Sequence, residues 1–255
     1  MFAQQRHQAI IQKINKDKSI KASELMDVFG VSFETIRRDL EHLEAAGVLK
    51  RVHGGAVLKE LDYSQEIPLT VREIAYLEEK NQLCELASRF VTEGQSIALD
   101  ASTTNRQFAK VLKTKFERLT IITNSLAIAN ELVDMPRYTI ILTGGVIRNE
   151  EQSIIGNFAE EFVARFHADL FFMSMSGVTL TDGITDYGLG EIQVKQIMLK
   201  NAKRTIALAD SSKFETVSLF KVCGYTDIER FVTDSNISRE IVEKYKEHGI
   251  EITFE

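Results

Sequence analysis

Short apolar runs alternate with helix-like stretches from residue 96 onward, and this alternation constrains the fold more than any other feature. Runs rich in β-branched and apolar residues recur at 96–99, 119–123, 138–142, 170–175, 205–209 and 231–233. Such runs, separated by helical patterns, are typical of βαβ units, whose strands pair in parallel because each helix returns the chain to the same end of the sheet. The pattern therefore predicts an α/β domain with a mostly parallel sheet.

The residues before this domain carry a helical pattern of their own. Isoleucines at 10, 11 and 14 predict an amphipathic helix over 6–16. A second helix is predicted over 23–29 and ends at Gly30, and a third begins after the N-cap residue Ser32 and runs to about residue 46. Two helices joined by so tight a connection predict a helix-turn-helix.

The third helix has one apolar and one polar side. Ile36, Leu40 and Leu43 recur at i, i+4 and i+7, so they form its buried seam. Arg37 then lies at the flank, and the side facing away from the core carries Glu34, Thr35, Arg38 and His42. A solvent-facing side with threonine and arginine suits contact with DNA.

A hairpin is predicted directly after this helix. Segments 48–52 and 56–58 have strand-like composition, and the intervening Gly54 and Gly55 supply the positive φ that a tight turn requires. Lys50 and Arg51 make the hairpin basic. A helix-turn-helix followed by a basic hairpin is a winged helix, so double-stranded DNA is the predicted partner.

The distribution of charge is consistent with DNA contact by the N-terminal part alone. The whole chain has a formal net charge of −6, which would repel a phosphate backbone. Residues 1–60 nevertheless hold ten lysines and arginines against eight acidic residues, so the acidic excess lies in the remainder. The candidate DNA contacts are Ser32, Thr35, Arg37, Arg38, Lys50, Arg51, His53 and Gly54. Which arginine reaches a base edge and which reaches a phosphate stays open.

The chain divides into a small and a large domain. We expect a winged helix-turn-helix over 1–58, a linker over 59–75 that contains Pro68, and a larger domain over 76–255. There is no export leader and no apolar run long enough for a membrane, so the cytoplasm is the expected compartment. Cys84 and Cys223 lie far apart without metal-ligand spacing, so we expect no disulfide, no metal and no cofactor.

Small, hydroxyl-bearing and charged residues follow the predicted strands. In an open α/β sheet the ligand crevice lies beyond the carboxyl ends of the strands, so these residues are candidates for effector binding. They are Asp100, Ser102, Thr103, Thr104, Asn124, Ser125, Gly144, Gly145, Arg148, Ser176, Gly177, Asp210 and Lys213. Lys195, within a predicted helix, is a further candidate, with an ordinary surface position as the alternative.

The chemistry of these candidates favours a phosphorylated ligand. Residues 102–104 precede a predicted helix, where free backbone N–H groups and hydroxyls together bind phosphate. Arg148 and Lys213 would neutralise its charge, and the glycines at 144–145 would let the backbone approach closely. The side chains suited to sugar hydroxyls are Asp100, Asn124 and Asp210.

Two sets of motifs, one in each domain, match a single known family. The first comprises Ser32, Thr35-Ile36-Arg37-Arg38-Asp39-Leu40, Leu43, Gly47 and Arg51-Val52-His53-Gly54-Gly55-Ala56. The second comprises Asp100, 102–104, 123–125, Gly144-Gly145, Asp182-Gly183, Thr185, Val194-Lys195 and 210–213. Together they cover nearly the whole chain, which resembles the DeoR family of transcription regulators.

The resemblance implies a repressor of a carbohydrate-catabolism operon. Its larger domain would be similar to ribose-5-phosphate isomerase and CoA-transferase folds and would bind a phosphorylated sugar that changes the operator affinity of a homodimer or homotetramer. Activation, and effectors that recruit rather than release DNA, stay open. The sequence departs from the family pattern at 171–177 and at 187–190, where acidic residues are more usual, so the sugar itself stays open.

A sugar-phosphate isomerase-like enzyme with an accessory DNA-binding domain is the alternative. It would need a carboxylate and a lysine placed for proton transfer at a sugar carbon, and Asp100 and Lys195 are the nearest candidates. Ser102 has no histidine in a supporting motif, so its expected role is binding rather than nucleophilic attack. We therefore expect no enzymatic activity.

Overall fold

A computed structural model describes residues 2–45, 47–58 and 67–255 of the chain. Within these residues the chain forms two compact units, one made of the residues up to 58 together with 67–78, and the other of 79–255. No helix in the described ranges combines the length and the apolar character needed to cross a bilayer.

The N-terminal unit is a winged helix-turn-helix, as predicted. Its helices are α1 (Ala3–Asp17), α2 (Ala22–Phe29), α3 (Phe33–Ala45) and α4 (Leu69–Ile74). Its strands are β1 (Ser19–Lys21), β2 (Leu49–Val52) and β3 (Gly55–Leu58), which form an antiparallel sheet in the order β1-β3-β2. The hairpin β2-β3 is the wing, and β1 pairs with its second strand.

The predicted apolar seams form the core of this unit. Ile10 and Ile14 of α1 are fully buried against Ile36 of α3 and its neighbours Leu40 and Leu43. Helix α3 begins where predicted, because the backbone N–H groups of the two residues after Glu34 bond back to the carbonyl of Ser32. The helix-turn-helix is therefore fixed by apolar burial and a capped helix start.

The tip of the wing uses its two glycines differently from the prediction. Gly54 has a φ of 82° and supplies the expected left-handed conformation. Gly55 does not have a positive φ; a Cβ at this position would lie 2.0 Å from the carbonyl oxygen of Ile20 in β1. Gly55 is therefore required for the close approach of two strands and not for the turn.

The predicted linker over 59–75 is only partly described. Residues 59–66 lie outside the described residues. Residues 67–75 differ from the expectation, because they include α4 and belong to the N-terminal unit. Val71 is 2% exposed and packs in the core of that unit, so its burial holds this segment there. An apolar periodicity of only six helical residues was too short to reveal this from sequence.

The larger unit contains a parallel sheet, again as predicted. Its strands are β4 (Ser96–Leu99), β5 (Thr120–Thr123), β6 (Thr139–Leu142), β7 (Val146–Arg148), β8 (Ser153–Ile155), β9 (Ala168–Ser174), β10 (Gly177–Thr179), β11 (Gly183–Asp186), β12 (Ala202–Leu208), β13 (Phe220–Cys223), β14 (Arg230–Val232) and β15 (Glu251–Thr253). Among the described residues, seven of these strands form one sheet in the order β15-β14-β12-β9-β4-β5-β6, and every neighbouring pair of strands is parallel.

Short antiparallel pairings at the edge of this architecture were not predicted. Strands β7 and β8 form a hairpin, and β10, β11 and β13 form a small sheet in that order. Each has only three or four residues, too few for alternation to stand out in the sequence.

Helices cover both faces of the parallel sheet. They are α5 (Leu77–Ala87), α6 (Thr103–Lys115), α7 (Leu126–Leu132), α8 (Asn157–Val163), α9 (Leu189–Asn201) and α10 (Arg239–Lys246). Alternate residues of β9 enter two apolar cores, with Phe171 and Met173 in one and Leu170 and Phe172 in the other. A strand buried on both faces has a continuous apolar run, as residues 170–173 of β9 do. The carboxyl ends of the parallel strands lie at one rim, which we call the sheet rim.

Candidate DNA-binding face and effector site

The exposed side of α3 carries the predicted arginines, and both are ion-paired within the unit. The guanidinium of Arg37 bonds to both carboxylate oxygens of Glu34 at 2.9 Å and also to Glu41. Arg38 has a side chain that is 74% exposed and bonds to Glu34 at 3.1 Å. Hydrogen bonding to Arg37 is the largest cause that lowers the pKa of Glu34 to about 2; desolvation opposes it, and hydrogen bonding to Arg38 reinforces it.

The wing is connected to α3 by the same kind of contact. Arg51 donates from its backbone N–H and its Nε to Glu44, both at 2.8 Å, and from a terminal nitrogen to Glu41 at 2.9 Å. Lys50 is exposed beside it, and His53 and Gly54 are exposed at the hairpin tip. Helix α3 and the wing therefore present one continuous charged surface.

This surface, the DNA face, consists of the exposed sides of α3 and the wing. Its ion-paired residues are Glu34, Arg37, Arg38, Glu41, Glu44 and Arg51. Three positive charges are thus balanced by three negative ones. DNA phosphates would have to compete with these glutamates for the arginines.

Ser32 and Thr35 lie at the start of α3, and their side chains are engaged with each other. The Ser32 Oγ accepts the backbone N–H of Thr35 at 3.3 Å and lies 3.0 Å from its hydroxyl oxygen. Ser32 therefore caps the helix, and only its exposed hydroxyl surface remains for DNA.

A buried ion pair behind the DNA face was missed by the sequence analysis. Asp39 accepts hydrogen bonds from Arg6 of α1 at 2.8 and 3.1 Å and contacts His7 Nε2 at 2.9 Å. The His7 ring stacks on His42 of α3, with ring centroids 4.7 Å apart. Asp39 stood within the matched motif, but partners in another helix cannot be identified from spacing alone.

The effector unit places a buried lysine between two carboxylates at the sheet rim. Lys195 of α9 is 3% exposed, and its Nζ lies 3.3 Å from Asp100 and contacts Asp186. Burial alone would lower the pKa of Lys195, but the charges of the two carboxylates outweigh it and raise the pKa. Burial likewise opposes ionisation of Asp186, yet Lys195 lowers its pKa overall. Lys195 and Asp186 are therefore charged at neutral pH.

Asp100 has every strong acceptor position engaged. Its carboxylate accepts from Asn105 Nδ2 at 2.7 Å, from the Ser174 hydroxyl at 2.7 Å and from the Ser174 backbone N–H at 2.9 Å, in addition to Lys195. Ser176, another predicted site residue, donates to Asp186 at 2.7 Å. This network joins the ends of β4, β9 and β11 to α9.

The predicted phosphate-binding turn is a capped helix start. The Ser102 Oγ accepts the Asn105 backbone N–H at 3.0 Å, so its first function is to cap α6. Thr103 and Thr104 begin the helix and are 9% and 8% exposed. Within the described chain neither threonine hydroxyl has an intramolecular hydrogen bond.

Arg148 lies at the end of β7 and faces α9. Its guanidinium is 3.3 Å from Glu191, which also accepts a 2.6 Å hydrogen bond from Ser153 of β8. A second, longer contact reaches Glu150 at 3.5 Å. Glu191 follows the segment 187–190 in which the expected acidic residues are missing, and it supplies a carboxylate one residue later.

Four of the predicted effector contacts are occupied by structural interactions. Asn124 accepts from the Ala101 backbone at 3.0 Å and donates to the Ile154 carbonyl at 3.2 Å, and Ser125 caps α7. A Cβ on Gly145 would lie 2.8 Å from a backbone oxygen of β8, and one on Gly177 would lie 2.3 Å from that of Thr216. These residues hold the rim together, whereas Gly144 has open space around its Cα.

Asp210 and Lys213 form a pair of their own after β12. Their charged atoms are 3.7 Å apart, and Asp210 also caps the short turn Ser211–Lys213. Several buried oxygens near strand ends lack a hydrogen-bond partner within the described residues, namely Asn105 Oδ1, Thr143 Oγ1, Asp210 Oδ2 and Thr233 Oγ1. The sheet rim thus has more hydrogen-bonding groups than the described residues provide partners for.

Both units match models of one protein family. Residues 76–235 match the DeoR C terminal sensor domain, and residues 6–61 match the DeoR-like helix-turn-helix domain. The chain belongs to the DeoR family of transcription regulators. As a DeoR-family regulator it binds DNA through the winged helix, and its α/β unit is the sensor.

Relatives align along nearly the whole DeoR-family chain. The HTH-type transcriptional regulator GolR of Listeria innocua is 34% identical over 252 residues, which is 99% of this chain and 98% of GolR. The glycerol-3-phosphate regulon repressor of Escherichia coli K12 is 27% identical and the alignment covers 97% of each chain. Ribose 5-phosphate isomerase A of Methanocaldococcus jannaschii aligns over 55% of each chain, with 16% identity and a TM-score of 0.42.

Proposed function

We propose that this DeoR-family regulator represses a carbohydrate-catabolism operon and that a phosphorylated sugar at the sheet rim controls its affinity for the operator. The observation that carries the proposal is the rim itself, where the hydroxyls of Thr103 and Thr104 are unengaged and buried oxygens of Asn105, Thr143 and Thr233 lack hydrogen-bond partners. Unpaired buried polar groups are costly, and a polyhydroxylated anion would satisfy both kinds. The E. coli relative named above represses a glycerol-3-phosphate regulon, which supports the same class of effector.

The proposed effector contacts are fewer than those predicted from the sequence. Thr103 and Thr104 would bind the phosphate together with backbone N–H groups at the start of α6, and Arg148 would neutralise its charge. Gly144 has no side chain and lies beside open space, so a ligand could approach its backbone closely. Lys195 holds Asp100 and Asp186 in place beneath the rim. The remaining candidates position these groups.

The DNA contacts are proposed on the DNA face. Arg37, Arg38 and Arg51 would exchange their glutamate partners for phosphates or base edges, and Lys50 and His53 would extend the contact along the wing. Duplex sites for such proteins consist of two half-sites, so a homodimer or homotetramer is the proposed assembly. Together with operator binding we propose a cytoplasmic location.

Binding rather than catalysis is the proposed role of the rim. Proton transfer from a sugar carbon needs a base that can accept a proton. Lys195 has a raised pKa and so stays protonated, and the carboxylate of Asp100 is fully hydrogen-bonded. Neither is placed to act as a general base. The isomerase-like alternative predicts turnover of pentose or hexose phosphates that Asp100→Asn abolishes.

A thermal-shift screen tests the effector class. The full chain is melted with ribose 5-phosphate, glucose 6-phosphate, fructose 1-phosphate and glycerol 3-phosphate, and with the same compounds lacking phosphate. A ligand stabilises the state that binds it, so at least one phosphorylated compound is expected to raise the melting temperature in a concentration-dependent manner. Thr103→Ala is expected to abolish that increase. Equal shifts by the unphosphorylated compounds would contradict a phosphate site.

A further inference from the structure

Phe33, the first residue of α3, exposes an aromatic ring on the helix that enters DNA. It is 54% exposed, although large aromatic side chains usually bury most of their surface. The angular position of Phe33 is close to that of the buried Leu40, seven residues later. The start of α3 therefore extends past the core and leaves the first residue of its apolar seam uncovered.

The polar neighbours of Phe33 are occupied. Glu34 is held by two arginines, and the Thr35 hydroxyl is engaged with Ser32. Phe33 and Arg37 are at i and i+4, so their side chains are neighbours on the surface of α3. The first turn of α3 thus presents an apolar group beside a cation, which matches a groove lined by phosphates.

We infer that Phe33 recognises the C5-methyl group of a thymine in the major groove of each operator half-site. In helix-turn-helix proteins the N-terminal residues of the second helix contact base edges. The thymine methyl is the apolar group that the major groove presents, and phenylalanine is among the side chains that contact it. This inference rests on DNA binding by the winged helix and adds a residue that determines which sequence is bound.

Deoxyuridine provides a direct test, because it lacks only this methyl group. A duplex selected from a randomised library by the full chain serves as the probe, and each thymine in turn is replaced by deoxyuridine. Burial of one methyl-sized group corresponds to about fourfold in affinity. At one thymine per half-site, wild-type protein is expected to bind the deoxyuridine duplex about fourfold more weakly.

Phe33→Ala and Phe2→Ala form a matched pair of variants. Phe2 is 80% exposed and precedes α1, outside the DNA face. Phe33→Ala is expected to bind the thymine duplex several-fold more weakly and to lose the deoxyuridine effect, with an unchanged salt slope because no phosphate contact is removed. Phe2→Ala is expected to keep both the affinity and the deoxyuridine effect, and Phe33→Leu is expected to retain part of that effect.

The possible results separate this inference from DNA binding itself. An enriched duplex without methyl sensitivity, or with equal sensitivity in Phe33→Ala, contradicts the inference alone. If Phe33→Ala instead changes the sedimentation coefficient of the free protein, the ring packs between copies of the chain, which also overturns it. Selection that enriches no sequence would contradict operator recognition and this inference together.

Discussion

Lys195 in the middle of α9 is ion-paired with Asp100 at the end of β4, with 3.3 Å between the charged atoms and both side chains 3% exposed. The pair connects a helix on one face of the sheet to the strand end from which the proposed phosphate-binding turn begins. Any movement of α9 would change the surroundings of Asp100 and, through it, the start of α6. The Lys195–Asp100 contact is therefore central to the sensor unit.

Lys195→Met is expected to destabilise the sensor unit by about 3 to 5 kcal/mol, because it leaves two carboxylates near the rim without their counter-charge. Urea denaturation followed by circular dichroism at neutral pH measures the change. The triple variant Lys195→Met, Asp100→Asn, Asp186→Asn serves as the control, and it is expected to be more stable than the single variant because the unpaired charges are removed. A single variant as stable as wild type would mean that the carboxylates are neutralised in another way.

Asp39→Ala is expected to loosen α1 from α3 in the N-terminal unit. It removes the carboxylate that pairs with Arg6, which is 8% exposed, and breaking a buried ion pair costs about 2 kcal/mol or more. Amide hydrogen exchange in α1 and α3 measures this local loss of stability. Asp17→Ala, which breaks an exposed pair with Lys13, is the control and should leave the exchange unchanged. If amide exchange in α1 and α3 were as slow in Asp39→Ala as in Asp17→Ala, a stabilising role for the Arg6–Asp39 pair would be contradicted.

Arg38→Ala is expected to weaken operator binding by about tenfold if the guanidinium contacts a base. If it contacts a phosphate, the loss is similar for all sequences and the salt slope decreases by about one. Fluorescence anisotropy at several salt concentrations distinguishes these cases. Arg137→Ala, which removes an equally exposed arginine paired with Glu117 in the sensor unit, should change neither quantity. Unchanged binding by Arg38→Ala would remove this residue from the interface.

Glu191→Gln is expected to tighten binding of a phosphorylated effector by about fivefold, because a partly buried ion pair of about 1 kcal/mol no longer competes for Arg148. The amide can still accept the hydrogen bond from Ser153, so the fold should persist. Isothermal titration with a phosphorylated sugar measures the affinity, and Arg148→Gln should weaken it. A weaker affinity in Glu191→Gln would show that this carboxylate contacts the ligand or positions its site.

Apolar periodicity was sufficient to predict most of the fold. The seam of Ile36 and Leu40 identified α3, and the apolar run at 170–175 identified a strand, which the structure buries on both faces. Local sequence also revealed the Ser32 cap, because the backbone N–H that its hydroxyl accepts is three residues away. These features depend on residues close together in sequence, so a pattern can reveal them.

Contacts between distant segments were not predictable in the same way. Residue type and proximity to a strand end predicted Asn124 and Gly145 as ligand contacts, but not that both also contact neighbouring segments of the chain. Asp186 and Glu191 were missed because their partners, Lys195 and Arg148, are brought to them only by tertiary packing. The sequence could predict the rim as a region, but not which of its side chains remain available to a ligand.

The most direct test of the central claim is the affinity of the full chain for a duplex from its own promoter, measured by fluorescence anisotropy with and without phosphorylated sugars. We predict binding at low ionic strength that changes about tenfold or more with at least one phosphorylated sugar, an effect within the usual range of coupling between two sites. Thr103→Ala should bind the duplex equally well and respond little. A chain that does not bind this duplex, or whose affinity no phosphorylated sugar alters, would contradict the account.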